Sequence, residues 1–501
     1  MATDSLTDLR ARLEHTYAAA VPELSTAWRA APVEEPELLA LDEDLAVELD
    51  LDPEWLATPE GLRVLTGNLP EEVPTYAQGY AGHQFGGYSP QLGDGRALLV
   101  GEILDSAGAR RDLHLKGSGR TPFARGGDGL AAVGPMLREY LMGQAMHALG
   151  IPTTRSLAVV ATGRPVMRER PLPGAILTRV ASSHLRVGTV QFAAAHRDRD
   201  LLRRLANHAI DRHHPHARDA DDPYLGLFAA VVAAQAELVA AWMGVGLIHG
   251  VMNTDNTTLS GETIDYGPCA MLDAHDPAAV FSSIDHGGRY AYGNQPAILS
   301  WNLARLGEAL LPLIGHPADD ADPTEPGEGA VEAASEVLQG FAPAYERALM
   351  AVMSRKIGFD DPLTGDDAAL VRDLFALMAQ HHPDHTRFFR GLAEGDVAPD
   401  VWETSEPEKY RAWLRRREEV LASRGIDTAD AEALMQQVNP VYVPRNHVVE
   451  DVLDAATAGD LEPFGRILDA LTTPFDRKPG HEPLEAPAPP GSAAHVTYCG
   501  T

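Results

Sequence analysis

The alternation of apolar and polar positions predicts a small sheet in the first part of the chain. Residues 112–116 alternate and predict a strand that ends in a lysine. Further strands are expected at 157–160, 166–168 and 175–180. Between these strands, Pro135 begins a segment with apolar residues at helical spacing, and Gly150 follows its end. Proline in the first turn and glycine after the last turn are typical of helix limits.

Helical periodicity dominates the second part of the chain. Residues 227–245 form a long apolar run that predicts a buried helix. Two short runs, 257–259 and 263–265, predict a hairpin after it. Further helices are expected at 299–313, 331–356, 366–380, 407–422, 429–437 and 447–472. We therefore expect an α+β protein with two lobes: a small β-rich N-terminal lobe with one key helix, and a large, mainly helical C-terminal lobe.

Four regions are expected along the chain. Residues 1–70 are acidic and interrupted by prolines, which predicts short helices wrapped around a larger body. The β-rich lobe is placed at 71–182 and the helical lobe at 183–472. Residues 473–501 are rich in proline and predict an extended tail that ends near Cys499.

An aspartate, an asparagine and a second aspartate follow the long apolar helix. Asp255 precedes Asn256 directly, and Asp265 lies nine positions after Asn256 in an Asp-Tyr-Gly turn. Mg²⁺ prefers oxygen ligands and leaves several positions to phosphates and water. Protein kinases hold Mg²⁺ on ATP with a similar set. The alternative is a pair of Asp/Asn-rich turns without a catalytic role.

Lys116 and Glu139 suggest the phosphate-binding pair of a kinase. Lys116 ends a predicted strand, and Glu139 lies in the helix that follows. Kinases build their Lys–Glu pair in this order, so the fold is expected to be protein-kinase-like. The alternative is that Lys116 lies at a solvated strand edge and Glu139 on the surface.

Two further features suggest anion binding. Gly93 and Gly95 precede an apolar run, and such glycines let backbone N–H groups cradle an anion; a simple hairpin turn is the alternative. Arg179 and Arg186 lie near a predicted strand end and suit phosphate oxygens. Salt bridges to the many carboxylates explain these two arginines equally well.

The amino-acid composition limits the classes of partner and the cellular location that we expect for the protein. The chain of 501 residues has 41 Lys and Arg against 72 Asp and Glu, a net charge of −31. This charge disfavours nucleic acid as a partner, since the phosphate backbone is also negative. Two cysteines exclude a disulfide framework. We expect no membrane association and a cytoplasmic location, because no apolar run approaches the length that spans a bilayer and the first residues do not resemble a signal peptide.

Four runs of the chain together resemble the selenoprotein O family, which includes the bacterial YdiU proteins. They are 80–86 (Tyr-Ala-Gly-His-Gln-Phe-Gly), 115–119 (Leu-Lys-Gly-Ser-Gly), 249–256 (His-Gly-Val-Met-Asn-Thr-Asp-Asn) and 264–268 (Ile-Asp-Tyr-Gly-Pro). The resemblance covers nearly the whole chain from Tyr76 onward. It implies a kinase-like fold that transfers AMP from ATP to protein hydroxyl groups, with the nucleotide flipped relative to its orientation in kinases.

The resemblance also implies roles for individual residues. Asp255 would be the general base, and Asn256 and Asp265 would hold Mg²⁺ or Mn²⁺. Lys116, held by Glu139, would contact the phosphates of ATP. The other positions expected to bind ATP, besides Asp265, are Gly93, Gly95, Arg96, Asp128, Gly129, Arg179 and Arg186.

One substitution argues against ordinary phosphoryl transfer. Kinases place the base Asp five residues before the Asn, and that position is Val251 here. Valine cannot accept a proton. The carboxylate nearest to Asn256 in the sequence is Asp255, so the base would lie at a different position from that in kinases. A base at a different position fits a reaction at a different phosphorus atom of ATP. The rival functions are a kinase with Asp255 as an unusual base, a non-catalytic nucleotide-binding scaffold, and UMP transfer with Mn²⁺.

The C-terminal tail departs from the family pattern. The family often ends in a redox motif of two closely spaced cysteine or selenocysteine residues. Here Cys499 holds the later position, but Val496 holds the earlier one. A Cys-x-x-Cys switch is therefore absent. A bond between Cys499 and Cys269 remains a hypothesis, and two unrelated thiols are the alternative.

Overall fold

The structure is a computed structural model that describes residues 3–315, 326–395, 397, 407–493 and 495–498. Strands occupy mainly the first 181 residues, and long helices occupy the remainder. The predicted α+β class, with a sheet-rich N-terminal part and a mainly helical C-terminal part, is confirmed.

The strands are short except where they form the centre of the main sheet. They are β1 (Ser25–Ala27), β2 (Glu37–Leu41), β3 (Tyr76–Gln78), β4 (Gly82–Gln84), β5 (Gly87–Ser89), β6 (Ala97–Leu104), β7 (Arg110–Lys116), β8 (Arg155–Met167), β9 (Pro171–Ala181), β10 (Leu247–Ile248) and β11 (Ala270–Met271).

Seven of these strands form one antiparallel sheet in the order β1-β3-β6-β7-β9-β8-β2. The register places Ala97 opposite Lys116 and His114 opposite Arg179. Because side chains two residues apart share a face of a strand, His114 and Lys116 lie on the same side of the sheet. The hairpin β4–β5 is separate from this sheet, and so is the pair β10–β11.

The helices range from short N-terminal turns to long segments in the second half. They are α1 (Leu6–Arg12), α2 (Thr16–Ala20), α3 (Glu43–Glu48), α4 (Pro53–Leu56), α5 (Pro59–Leu65), α6 (Val133–Ala148), α7 (Val187–Ala195), α8 (Arg199–His213), α9 (Pro223–Val245), α10 (Gln295–Leu310), α11 (Ala330–Gln339), α12 (Phe341–Lys356), α13 (Ala369–His381), α14 (His385–Ala393), α15 (Pro407–Ser423), α16 (Thr428–Val438), α17 (Asn446–Thr457) and α18 (Glu462–Leu471).

Two helices fix the position of the site. Helix α6 packs against β8 and β9, and α17 and α18 cover its other side. Helix α9 begins at a Pro with Asp222 as its N-cap and ends at Gly246, whose φ of 78° suits a left-handed C-cap. Its apolar side chains form the centre of the largest hydrophobic cluster.

The expectation that no apolar run approaches the length that spans a bilayer is wrong, because helix α9 has the length and composition of a membrane-spanning segment. In this structure 56% of its most apolar window is buried within the protein. A core helix of this kind passes the same test of length and hydropathy.

Several expected elements differ in the structure. The hairpin predicted at 257–265 is wrong: Thr258 bridges Arg186 and Thr263 bridges Thr153 instead. The helix predicted at 331–356 is divided at Gly340, and that at 447–472 is divided between Thr457 and Glu462. The strands at 157–160 and 166–168 are one strand, β8. Strands β1 to β6, β10 and β11 and helices α7, α8 and α14 were not predicted. The limits proposed for the four regions remain a prediction.

Candidate active site

A cavity of about 290 Å³ opens between the sheet and the loop that follows α9. Its inner end is lined by Lys116, Arg179, Arg186 and Asp265. Its outer end is lined by the loops at 93–97 and 123–130. Three cations and one carboxylate at the closed end are suited to the phosphates of a nucleotide.

Lys116 lies between two carboxylates. Its Nζ is 2.5 Å from Glu139 Oε2 and 2.5 Å from Asp265 Oδ1. Arg179 Nη1 is 3.3 Å from Glu139 Oε1 and 3.4 Å from Asp265 Oδ1. Strands β7 and β9 supply the two cations, α6 supplies Glu139, and the loop after β10 supplies Asp265. The structure thus brings these four predicted residues into one network.

Asp265 has a left-handed backbone, with φ of 64°. This conformation is uncommon for a residue other than glycine and often occurs at functional sites. Burial alone would raise the pKa of Asp265, but Lys116, Arg179 and Arg186 hold that pKa well below its usual range. Asp265 therefore remains a carboxylate across the physiological pH range.

Asp255 has the opposite electrostatic environment. It lies in a single turn of 3₁₀ helix, Thr254–Asn256, and is only 8% exposed. Burial raises the pKa of Asp255 to about 6. Gln84 Nε2 donates to Oδ2 at 3.4 Å, while Oδ1 accepts no hydrogen bond from the described residues. A carboxylate with a pKa near neutrality and a free oxygen is suited to act as a general base.

Asn256 is oriented by its own loop. Its Nδ2 donates to the backbone carbonyl of Val251 at 2.9 Å, which leaves Oδ1 as the free acceptor. Asp265 uses Oδ1 for Lys116 and Arg179. Within the described residues, no group of three or more His, Cys, Asp or Glu side chains is arranged to hold a metal ion.

Arg186 connects Asp255 to the cavity. Its Nη1 donates to the backbone carbonyl of Asp255 at 3.0 Å, and its guanidinium lies 4.3 Å from the centre of the Tyr80 ring. Tyr80 also lines the cavity but was not among the predicted site residues. The signal was present, since the run 76–88 combines glycines and aromatic residues in a way unusual for a linker.

The Gly93–Arg96 segment is a loop and not a hairpin turn, because β5 pairs with β4 and β6 pairs with β3 and β7. Gly93 has φ of 120°, and a Cβ there would lie 2.6 Å from the Phe123 ring. Only glycine fits this position. Gly93, Gly95 and Arg96 all line the cavity.

The outer wall contains the remaining predicted residues, Asp128 and Gly129. Asp128 Oδ2 accepts from Arg168 Nη1 at 2.8 Å. Arg168, which was also not predicted, lines the same wall. Arg168 is thus already paired with a carboxylate.

Behind the inner end, two imidazoles fill the space. His114 and His184 stack with their ring centres 4.0 Å apart, and both are almost fully buried. His114 Nε2 is 3.1 Å from Asp94 Oδ2, and His184 Nδ1 is 3.1 Å from Asp112 Oδ2. Neither histidine is among the residues that line the cavity.

Cys269 is buried, and its thiol donates to the backbone carbonyl of Tyr266 at 3.0 Å. Burial raises the pKa of this thiol to about 12. The hypothetical partner, Cys499, lies outside the described residues.

Comparison with known proteins gives a consistent family. The model of the family described as "Protein adenylyltransferase SelO" matches residues 9–472. A protein named "Protein nucleotidyltransferase YdiU" from Mycobacterium sp. (strain KMS) is 56% identical over 497 residues, covering 98% of this chain and 99% of that protein. A protein of the same name from Mycolicibacterium smegmatis is 55% identical over 504 residues, covering 99% of each chain. The chain belongs to the SelO family of protein adenylyltransferases.

Proposed function

We propose that this chain transfers AMP from ATP to the hydroxyl groups of Ser, Thr or Tyr side chains in proteins, with release of pyrophosphate. The observation that carries the proposal is the arrangement of a group of cations next to the buried carboxylate of Asp255. The phosphate-binding cations Lys116, Arg179 and Arg186 line the cavity, and Arg186 also contacts the backbone of Asp255, whose Oδ1 accepts no hydrogen bond from the described residues.

The shape of the cleft supports an orientation with the triphosphate inside. Lys116, Arg179 and Arg186 are each at most 7% exposed, whereas residues 125–128 on the opposite loop are exposed, so the cations mark the inner end. The open end has room for the base and ribose beside the glycine loops at 93–97 and 123–130. The γ-phosphate would then bind Lys116, Arg179 and Arg186, and the α-phosphate would lie nearer to Asp255.

The proposed step is a displacement at the α-phosphorus. The acceptor oxygen forms a bond to that phosphorus while its proton passes to Asp255. The bond between the α-phosphorus and the oxygen bridging to the β-phosphate breaks, and pyrophosphate leaves with the electron pair. Lys116, Arg179 and Arg186 stabilise the negative charge that accumulates on the leaving group.

Asn256 and Asp265 suit a divalent cation held mainly by nucleotide phosphates. Each offers one oxygen that is not engaged with Lys116, Arg179 or Val251. Two protein oxygens are a typical share for Mg²⁺. When bound, Mg²⁺ or Mn²⁺ supplies neutralisation of phosphate charge.

An ordinary kinase reaction has less support. Val251, at the position of the usual kinase base, is 6% exposed and packs in the hydrophobic core. It contributes its backbone carbonyl to Asn256 and no proton acceptor to a substrate.

ATP labelled separately at the α- and γ-phosphates tests the proposal. Label from the α-position alone is expected to enter an acceptor protein, and Asp265→Ala is expected to abolish it. Asp211→Asn is the control, because Asp211 is exposed and, among the described residues, forms an ion pair only with Arg218. Incorporation from the γ-position alone would establish a kinase instead. Incorporation from neither position, with ATP bound, would favour a scaffold. Parallel assays with UTP and Mn²⁺ distinguish UMP transfer.

A further inference from the structure

The hairpin β4–β5 lies directly over the proposed base. His83 N donates to Thr254 Oγ1 at 2.7 Å, and Phe85 N donates to Asn253 Oδ1 at 3.1 Å. A Cβ on Gly82 would lie 2.4 Å from Asp255 Oδ1, so only glycine permits this approach. The hairpin is therefore part of the surface that an acceptor hydroxyl must cross.

The tip of this hairpin carries a residue that its backbone disfavours. Phe85 and Gly86 have φ of 50° and 86°, as in the primed turns that favour Asn and Gly. A bulky residue in this conformation is strained, and such strain is often retained for function. The Phe85 ring lies 5.0 Å from the Tyr290 ring but remains 38% exposed, and Tyr88 on β5 is 45% exposed.

An arginine adjoins the same tip. The Arg289 guanidinium lies 5.0 Å from the centre of the Trp301 ring, and a Cβ on Gly86 would lie 3.8 Å from it. Within the part of the chain that the structure describes, Arg289 pairs with no carboxylate. In contrast, Arg305 lies 4.9 Å from the same ring and pairs with Glu308 at 2.5 Å. In a chain with 72 acidic residues, an arginine without such a pair is available to a partner's carboxylate.

We propose that Phe85, Tyr88 and Arg289, here called the hairpin surface, dock an extended segment of the acceptor protein. That segment carries Asp or Glu two or three residues from the hydroxyl residue that receives AMP. The proposal rests on the proposed function, and it adds a rule for acceptor choice.

The dimensions of the hairpin set the spacing. Gln84 contacts Asp255, and Gly86, two positions later, adjoins Arg289. An extended chain advances about 3.3 Å per residue, and two or three residues cover roughly 7 to 10 Å. Within the described residues β5 pairs only with β4, so its other edge offers backbone groups to an extended peptide. The exposed rings supply apolar contact.

Two synthetic peptides test this docking. They share one serine and differ only two residues away, where one has Glu and the other Lys. Binding is measured by fluorescence anisotropy in the presence of ATP, and transfer is measured with α-labelled ATP. The Glu peptide is expected to be at least tenfold better in both assays at low salt.

Three variants sharpen the test. Arg289→Glu is expected to reverse the preference toward the Lys peptide, with ATP affinity unchanged. Arg305→Glu is the matched control and should retain the preference for Glu. Phe85→Asn suits the turn better, so the melting temperature should hold or rise while both peptides bind several-fold more weakly.

The outcomes separate docking from chemistry. A preference for Glu that Arg289→Glu reverses, without any transfer of label, would support the docking and overturn the proposed function. Transfer with equal preference for both peptides, or an unchanged preference in Arg289→Glu, would overturn the docking and leave the function intact. Binding of neither peptide, together with a change of oligomeric state in Arg289→Glu, would assign the surface to a second copy of the chain and overturn the docking.

Discussion

Two buried ion networks in this molecule have similar composition but different surroundings. In one, Lys116 and Arg179 lie between Glu139 and Asp265. In the other, Arg445 lies between Asp273 and Asp384, at 2.6 and 2.9 Å, and also donates to the backbone carbonyl of Glu485 at 3.0 Å.

The two networks differ in whether a ligand in the cavity can reach them. Arg445 is 1% exposed and holds the segment after α18 to the helical part of the chain. Lys116 and Arg179 are also mostly buried, but both line the cavity beside two glycine loops. Ion pairing alone therefore does not identify a functional site. A network that lines a cavity, next to a carboxylate of raised pKa, is the informative combination.

The strongest test of this contrast is Asp255→Asn. Loss of a general base is expected to lower transfer from α-labelled ATP by ~10²- to 10⁴-fold. Stability at pH 7.5 should stay the same or rise by up to about 3 kcal/mol, because one pKa unit corresponds to ~1.4 kcal/mol and burial disfavours the charged form here. Urea unfolding measures stability. Full retained transfer would show that Asp255 is not the base.

Arg445→Met should have the reverse effect. It leaves Asp273 and Asp384 without their cation, which is expected to destabilise the fold by about 3 to 5 kcal/mol. The transfer rate per folded molecule should change less than twofold. Arg411→Met is the control, because Arg411 forms an exposed pair with Glu408, and it should leave the unfolding midpoint unchanged. A larger loss of activity than of stability in Arg445→Met would break the contrast.

The pH dependence should follow Asp255 and not Asp265. Because burial raises the pKa of Asp255 to about 6, transfer should fall about tenfold between pH 7 and pH 5 as this carboxylate gains a proton. Its effect on stability has the opposite sign, since a raised carboxyl pKa stabilises the fold below about pH 4 and this contribution is lost as the pH rises through 6. Single-turnover rates measure the profile. A flat profile from pH 5 to 7 would contradict the assignment.

A smaller effect is expected at the outer end of the cavity. In Gly93→Ala the new methyl group would meet the Phe123 ring, so ATP should bind several-fold to tenfold more weakly. The matched control is Gly465→Ala in α18, where the added group meets nothing within 4 Å. That change should leave ATP affinity unaltered and slightly raise the melting temperature. Titration calorimetry compares the two, and equal affinities would remove Gly93 from the site.

The pattern of apolar and polar residues was sufficient to predict helices and strands that are stabilised by contacts between residues close in sequence. Helix α9 was expected within a few residues of its limits, and the strand ending at Lys116 was found with the helix that carries Glu139. The hairpin expected at 257–265 failed for the opposite reason. Thr258 and Thr263 pair with residues 72 and 110 positions earlier, and no local pattern reveals such partners. Strands β1 and β2 were missed because they are short, partly exposed edge strands.

The candidate site shows the same division. Acidic and cationic residues could be predicted as site residues from the sequence, because their spacing resembles that of kinase motifs. The structure brings four of them, Lys116, Glu139, Arg179 and Asp265, together. Tyr80 and Arg168 reach the site from loops, and Gln84 reaches Asp255 from the short strand β4, so their positions depend on the whole fold.

The edge strands of the main sheet have a consequence for synthesis. Leu41 on β2 pairs with Ala158 on β8, which leaves the ribosome 117 residues later. At a synthesis rate of 5 to 20 residues per second, roughly 6 to 23 s pass between the synthesis of β2 and that of its neighbour β8. A nascent chain of this length therefore exposes an unpaired apolar strand for longer than most domains need to fold. Helper proteins that shield such segments would have their main opportunity in this interval.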